Sequence, residues 1–276
     1  MSRAEDGLVV NSGKKISIIM GVHNGGKRFV EAVKSIENQT YSHWEFIICD
    51  DGSTDDTFER LKEYAKGNPK YKIIQNKQNL GLAATLNHCL DYCTGEYIAR
   101  MDDDDYSYPE RFEKQIEYLE AHSDIDFVST WVDVYDGEKI TKQIQLPEFP
   151  TKWNMTWRSC FVHPATMFRA EALRSVGGYR VAEEVRRGQD YDLFMRMYGQ
   201  GLQGANLTEL LFRYTQEGRN RYHRTLKGEL RWLKVSYRGY KAMGVLPWAA
   251  PLMLKPFVAL FLEKASAIAK AKDKRK

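Results

Sequence analysis

Hydrophobic and polar positions along the first hundred residues spell a repeating strand–helix pattern. Residues 16–22 (Ile-Ser-Ile-Ile-Met-Gly-Val) form a short apolar run suited to a buried strand, and Phe29, Val33 and Ile36 fall on one face of a helix over residues 26–38. Residues 44–49 are again strand-like. After the polar stretch Asp50-Asp51-Gly52-Ser53-Thr54-Asp55-Asp56-Thr57, a second helix turns Phe58, Leu61 and Tyr64 inward, with Ser53 or Thr54 as its N-cap. A third strand over 71–75, a turn over 76–81 and a helix over 82–93 follow. A fourth strand starts at Gly95-Glu96 and runs through Tyr97-Ile98-Ala99-Arg100-Met101. Four strands alternating with helices predict a largely parallel sheet with right-handed crossovers.

The fourth strand ends abruptly in Asp102-Asp103-Asp104-Asp105. Neighbouring carboxylates repel and raise one another's pKa, so such a run at the mouth of a core calls for a cation, and a divalent metal would serve. A solvated acidic turn is the other reading. Position favours a site, because open α/β sheets bind ligands outside the carboxyl ends of their strands. Asp50 and Asp51 close the second strand in the same way, so both acidic clusters should face one edge of the sheet.

The regular pattern then breaks. A helix is expected over 109–121, with its start at Ser107-Tyr108-Pro109-Glu110, and residues 127–134 and 140–146 alternate like antiparallel or edge strands. Residues 161–169 read as a strand, 171–175 as a short helix, 176–179 as a turn, and Gly188 opens a helix that carries Asp190 and Asp192. No internal repeat or low-complexity linker interrupts residues 1–218, which read as one domain.

Beyond it, Leu226, Leu230, Leu233, Tyr237 and Tyr240 share one helical face, and Arg231, Lys234, Arg238 and Lys241 the adjacent one. Residues 246–262 are apolar but broken by three prolines and a lysine, which argues against a membrane span. They suit lying in a lipid interface, with Trp248 at headgroup level and Lys264, Lys270, Lys272, Lys274, Arg275 and Lys276 on anionic lipid. A packing helix with a solvated tail is the alternative.

Charge sharpens this division. The net charge of the 276 residues is only +4, yet residues 1–218 carry 26 Lys+Arg against 34 Asp+Glu, and residues 219–276 carry 15 against 3. A basic tail implies an anionic partner. Its basic stripe is interleaved with an apolar face, which favours a membrane surface over nucleic acid. The four cysteines (Cys49, Cys89, Cys93, Cys160) show no CxxC and no metal-ligand spacing, as expected of a reduced compartment. The first residues lack the features of a secretory signal, so a cytoplasmic protein, peripheral on the inner face of the plasma membrane, is expected.

These motifs together resemble glycosyltransferase family 2, the inverting nucleotide-sugar enzymes of the GT-A fold, most of all bacterial members that build exopolysaccharide, capsule or lipopolysaccharide. The resemblance covers residues 16 to about 215. It rests on Ser17-Ile18-Ile19-Met20-Gly21-Val22-His23-Asn24 with Gln39-Thr40-Tyr41, on Asp50-Asp51-Gly52-Ser53-Thr54-Asp55, on Asn79-Leu80-Gly81 and on Arg100 to Asp105. It continues with His163-Pro164, Phe168-Arg169, Gly177-Gly178-Tyr179 and Asp190-Tyr191-Asp192-Leu193.

The resemblance implies an α/β fold with a mixed, mainly parallel sheet sandwiched by helices. It implies a nucleotide-sugar half over about 14–105 and an acceptor half over about 106–218; the charge and amphipathic pattern, outside the resemblance, predict a basic helical region over 219–276 that docks on anionic membrane through 226–276. The donor would be a UDP-sugar and the acceptor a glycan or a polyprenyl-diphosphate-linked chain. Val22, Asn24, Asp50, Asp51, Asn79, Arg100, Asp102 and Asp103 would bind the donor, and Asp104 with Asp102 would hold Mn²⁺ or Mg²⁺, a register one residue later in the run being the alternative. Asp190 would be the base that takes the acceptor proton. Asp192, about 200° around the helix, is its rival. The family usually has Glu where Gln189 stands and Pro where Gly21 stands, and no histidine appears near Arg213-Tyr214-Thr215-Gln216 as a further ligand. His163 reads as structural or acceptor-side. The missing charge at Gln189 leaves a second reading open, a catalytically weak GT-A protein that binds or regulates through its basic C-terminal region.

Overall fold

A computed structural model describes residues 13–186, 188–216 and 225–261. The chain runs β1 (Ile16–Val22), α1 (Phe29–Glu37), β2 (Trp44–Asp50), α2 (Thr57–Ala65), β3 (Tyr71–Gln75), α3 (Leu82–Leu90), β4 (Tyr97–Arg100), β5 (Tyr106–Ser107) and α4 (Arg111–Ala121). It continues through β6 (Phe127–Tyr135), β7 (Ile140–Ile144), α5 (Lys152–Trp157), β8 (Met167–Arg169), α6 (Ala170–Ser175), α7 (Gln189–Gly199), β9 (Gly204–Thr215), α8 (Leu226–Ala242) and α9 (Leu246–Ala249).

One mixed sheet has the order β3-β2-β1-β4-β8-β6-β9-β5, with β7 paired to β6. Strands β1 to β4 are mutually parallel, as their spacing by helices predicts. Past β4 the direction alternates, with β8 antiparallel to both β4 and β6, while β6 and β9 are parallel. Helices cover both faces because successive strand residues point to opposite sides. Ile16, Ile18 and Met20 pack with Phe29, Val33 and Ile36 of α1 and with Phe112, Ile116 and Leu119 of α4. Ile19, Ile47 and Cys49 pack on the other face with Leu86 and Cys89 of α3 and Leu193, Phe194 and Met197 of α7. All four cysteines are free and buried, so they act as small apolar side chains.

Four expectations are corrected. Residues 161–169 are a 3-10 turn at His163–Ala165 followed by only three residues of strand, since Pro164 has no N–H to offer a ladder. The helix expected from Pro109 starts at Arg111, because Tyr106 and Ser107 pair with Arg213 and Phe212 of β9. Ser53 and Thr54 do not cap α2, whose N-cap is Asp56; they are drawn to Asn24 instead. The apolar stripe of α8 is split, with Leu226, Leu230 and Tyr237 exposed while Tyr240 is buried and donates to the Thr156 carbonyl at 2.7 Å.

Helix α8 therefore belongs to the packed body. Trp232 stacks on Tyr191 of α7, ring centres 4.9 Å apart at 5°. A Cβ at Gly239 would fall 2.1 Å from the Met195 sulfur, so a larger residue there would have to displace the Met195 side chain. Arg231 and Arg238 pair with Glu183 and Glu184 on the turn before α7. The domain boundary expected at residue 218 lies outside the described residues.

Candidate active site

The carboxyl ends of β1, β2 and β4 meet at one edge, and two loops there are tied together by their own polar side chains. Val22 ends β1 opposite Asp50, and its carbonyl accepts from the Asp51 N–H at 2.7 Å. Asn24 follows in a left-handed conformation, φ 49°. Its N–H donates to Ser53 Oγ at 2.9 Å and its side-chain oxygen accepts from the Thr54 N–H at 2.9 Å. Gly52 also has positive φ, and a Cβ there would sit 2.5 Å from the Gln78 carbonyl carbon.

Asp51 organises the next loop. It accepts from Asn76 Nδ2 at 2.9 Å and from the N–H groups of Leu80 and Gly81 at 2.8 Å each. Burial alone would raise its carboxyl, but these bonds outweigh it and hold the group below the ordinary carboxylate range. Asp50 is fully buried; its Oδ2 accepts from the Ser53 N–H at 3.1 Å and from Gln75 Nε2 at 3.0 Å, whereas Oδ1 has no partner among the described residues. Asn79 is exposed, on the rim of a cleft of about 190 Å³ between the 79–83 segment and residues 181–186.

The acidic run leaves β4 two residues past Arg100, which pairs with Ile19 of β1. Carboxylate oxygens of Asp102, Asp104 and Asp105 lie within 4.8 Å of one another. Asp103 turns the other way, towards Gly25 and the Arg28 guanidinium at 3.7 Å. Burial and the neighbouring Asp104 push its carboxyl up to about 6. Burial and Asp102 likewise raise Asp104 and Asp105 above the usual range. Asp105 is buried, with Oδ1 accepting from the Thr215 N–H at 2.7 Å and Oδ2 unpartnered.

Two buried arginines lie beneath this run. Arg100 has no exposed surface and reaches the site through an ion pair with Asp102 at 2.5 Å. Arg111 donates to the Arg100 carbonyl at 3.0 Å, and burial lowers its guanidinium to about 9 despite the pull of Asp105. With Arg28 nearby, the four carboxylates and Asp190 face fewer cations than they need. The convergent donors are hard oxygens, and one buried oxygen, Asp105 Oδ2, has no partner among the described residues; this set fits a small divalent cation.

Asp190 stands in the first turn of α7, close enough to Arg100 and Asp102 to feel both charges. Burial raises its carboxyl, against hydrogen bonds from the Tyr191 and Asp190 N–H groups and the attraction of Arg100. Asp192 is buried on the far side of the helix, bound by Arg196 Nε at 2.8 Å and Arg180 Nε at 3.2 Å. Its carboxylate is consumed by those two ion pairs.

Three side chains at the site escape sequence reasoning. Tyr179, fully enclosed between His163 and the Arg100 layer, shares a 2.8 Å hydrogen bond with His163 Nε2. Burial drives His163 far below the ordinary histidine range, so it is neutral. Tyr214 of β9 faces the run, and burial followed by repulsion from Asp105 and Asp102 pushes its phenol up to about 12. Arg111 is the third. Of these only Tyr179 carried a signal, the Gly-Gly-Tyr turn; Tyr214 and Arg111 reach the site through β9 and α4.

The model of Glycosyl transferase family 2 matches residues 17–177. The chain is 43% identical to EpsE of Bacillus subtilis (strain 168) over 209 residues, 75% of each chain. It is 33% identical to the O-antigen biosynthesis glycosyltransferase WbnJ of Escherichia coli over 207 residues, 72% of this chain and 78% of that one. Among solved structures, S. aureus TarS 1–349 in complex with UDP-GlcNAc superposes with a TM-score of 0.67 at 18% identity, covering 84% of this chain and 71% of that one.

Proposed function

The chain belongs to glycosyl transferase family 2 and is a glycosyltransferase of GT-A architecture; from that premise we propose that it moves a sugar, with inversion, from a UDP-sugar to a glycan or polyprenyl-diphosphate-linked acceptor in bacterial cell-surface polysaccharide synthesis. The observation that carries this reading is the convergence of Asp102, Asp104 and Asp105 beside Asp190, at the edge that also holds Asp50 and Asp51. The UDP-GlcNAc bound by TarS and the O-antigen role in the name of WbnJ support the donor and acceptor classes.

The nucleoside is held at the tied loops. Asp50 offers its unpartnered Oδ1 to a base N–H or a ribose hydroxyl, and Asp51 keeps Asn79 to Gly81 in place against it. Val22 and Asn24 form the near wall. Asp102, Asp104 and Asp105 would hold Mn²⁺ or Mg²⁺, which when bound neutralises charge on the departing nucleoside diphosphate. Asp103, turned towards Arg28, shapes the donor loop, and Arg100 positions the Asp102 carboxylate from beneath.

Asp190 accepts the proton of the acceptor hydroxyl as that oxygen bonds to the anomeric carbon; the sugar–phosphate electron pair leaves with the diphosphate. Attack opposite the leaving group inverts the centre. Burial raises its pKa above that of an ordinary aspartate, which makes it a stronger base, and Gln189 adds no second negative charge to raise it further. Among the described residues no helix is long and apolar enough to cross a membrane; the basic, amphipathic pattern of residues 226–276 supports a peripheral place at the inner face of the plasma membrane.

A panel of nucleotide sugars, monitored by release of nucleoside diphosphate, tests the reading. Turnover with a UDP-sugar that Asp190→Asn abolishes is the expected result. UDP binding without turnover on a broad acceptor panel would instead support a catalytically weak binding or regulatory protein.

A further inference from the structure

The large exposed apolar side chains are unevenly placed. Helix α5 is fixed by a reciprocal cap between Thr151 and Asn154, and it turns Trp153 and Trp157, one helical turn apart, outward at 51% and 58% exposure. Leu254, Val258 and Phe261 are likewise exposed, Phe261 at 72%, and their spacing puts them on one face of the helical segment over 255–261. Lys255 Nζ lies 4.8 Å from the Trp157 ring centre and bridges the two stripes. Trp248, 76% exposed, opens the same C-terminal stretch.

We propose that α5 of the acceptor half and residues 248–261 form one lipid-facing surface that seats the enzyme on an anionic bilayer. The charge pattern selects this occupant. Residues 219–276 carry 15 Lys+Arg against 3 Asp+Glu, while residues 1–218 carry 26 against 34. An anionic surface attracts the first region and repels the second, so the molecule is both bound and oriented. Tryptophan rings and lysine stems suit the headgroup boundary, where an apolar body and a polar tip are both satisfied. A second copy docking on the same face would bring two basic regions together, which costs energy that a bilayer returns. Arg231 and Arg238 are engaged by Glu183 and Glu184, and Lys234 is close enough to Glu184 to help lower its carboxyl; Lys227 and Lys241 are exposed where lipid phosphates would meet them.

This surface deepens the reading of a membrane-borne acceptor, and binding is measured without donor or acceptor so that the two can fail separately. The full chain is floated with phosphatidylcholine vesicles, with and without phosphatidylglycerol. Wild type should float only with phosphatidylglycerol and be released by salt. The double variant Trp153→Ala/Trp157→Ala should lose at least about tenfold in partitioning, since two indoles that would enter the bilayer surface are removed, while keeping the wild-type rate of donor cleavage in solution. Trp248→Ala should weaken binding less. Flotation of the double variant at the wild-type level would overturn the proposal, as would absence of wild-type binding. So would a wild-type dimer in solution that the double variant dissolves while vesicles stay bare.

Discussion

The two ends of the same parallel strands are built on opposite rules. At the amino edge, Glu45 accepts from Lys15 Nζ at 2.7 Å, Ser17 Oγ at 2.6 Å and the Thr94 N–H at 2.8 Å, and the Gly95 N–H closes the network on Ser17 Oγ at 2.8 Å. Burial raises the carboxyl, but these partners win and lower it to about 2. At the carboxyl edge, Asp50 Oδ1, Asp103 Oδ2 and Asp105 Oδ2 are buried without hydrogen bonds among the described residues, Asp103 having only the Arg28 guanidinium at 3.7 Å, and Asp103 is raised to about 6. One edge satisfies its charge internally and locks the strands. The other withholds partners that a donor and a cation would supply, as functional sites do.

That contrast is most sharply broken at Asp190. Asp190→Asn should lower the turnover rate on the order of 10²–10⁴-fold while leaving the thermal midpoint unchanged or higher, because the charge removed is one that its half-buried surroundings penalise. In wild type the ionised form is the base, so kcat/KM should rise with pH, with its acid limb above the 3.8 of an ordinary aspartate. An acid limb at or below that value would contradict the burial argument.

The amino edge should answer in the opposite currency. Glu45→Gln should cost about 1–3 kcal/mol of stability, measured by urea unfolding, with the rate of donor cleavage unchanged. The folded pKa of Glu45 is lowered, so its stabilisation is present above about 4.5 and is lost as pH falls towards about 2. The variant's deficit should shrink across that window. A smaller effect of reversed sign is expected at Asp103. Its folded pKa is raised, so stability present below 3.8 is lost as pH rises through about 6. Asp103→Asn should therefore gain on the order of 1 kcal/mol at neutral pH and nothing at pH below 3.8.

The sequence reveals the amino-terminal half of the fold well. β1 to β4 are short, mainly apolar runs separated by helical periodicity, and both acidic clusters do fall at one edge. It is silent on β9, whose Asn206, Thr208 and Glu209 interrupt any alternation and whose pairing with β6 shifts register around Trp131. That strand brings Thr215 to Asp105 and Tyr214 to the run. Four identical residues in a row cannot reveal which way each points; the ion pair to Arg100, the bond from Thr215 and the contact with Arg28 turn Asp103 away from the other three. Nothing in the sequence singles out Trp153 and Trp157; α5 buries Met155 and Thr156, whose carbonyls accept from Tyr191 of α7 and Tyr240 of α8, and so leaves the two tryptophans outside.

On this reading the carboxyl edge is a donor site completed by a divalent cation. Thermal unfolding of wild type and Asp104→Asn, with UDP, Mn²⁺, both or neither, tests it most directly. UDP should raise the wild-type midpoint only when Mn²⁺ is present, and the combined effect should vanish in Asp104→Asn. An equal rise from UDP without metal, or an undiminished combined rise in the variant, would contradict it.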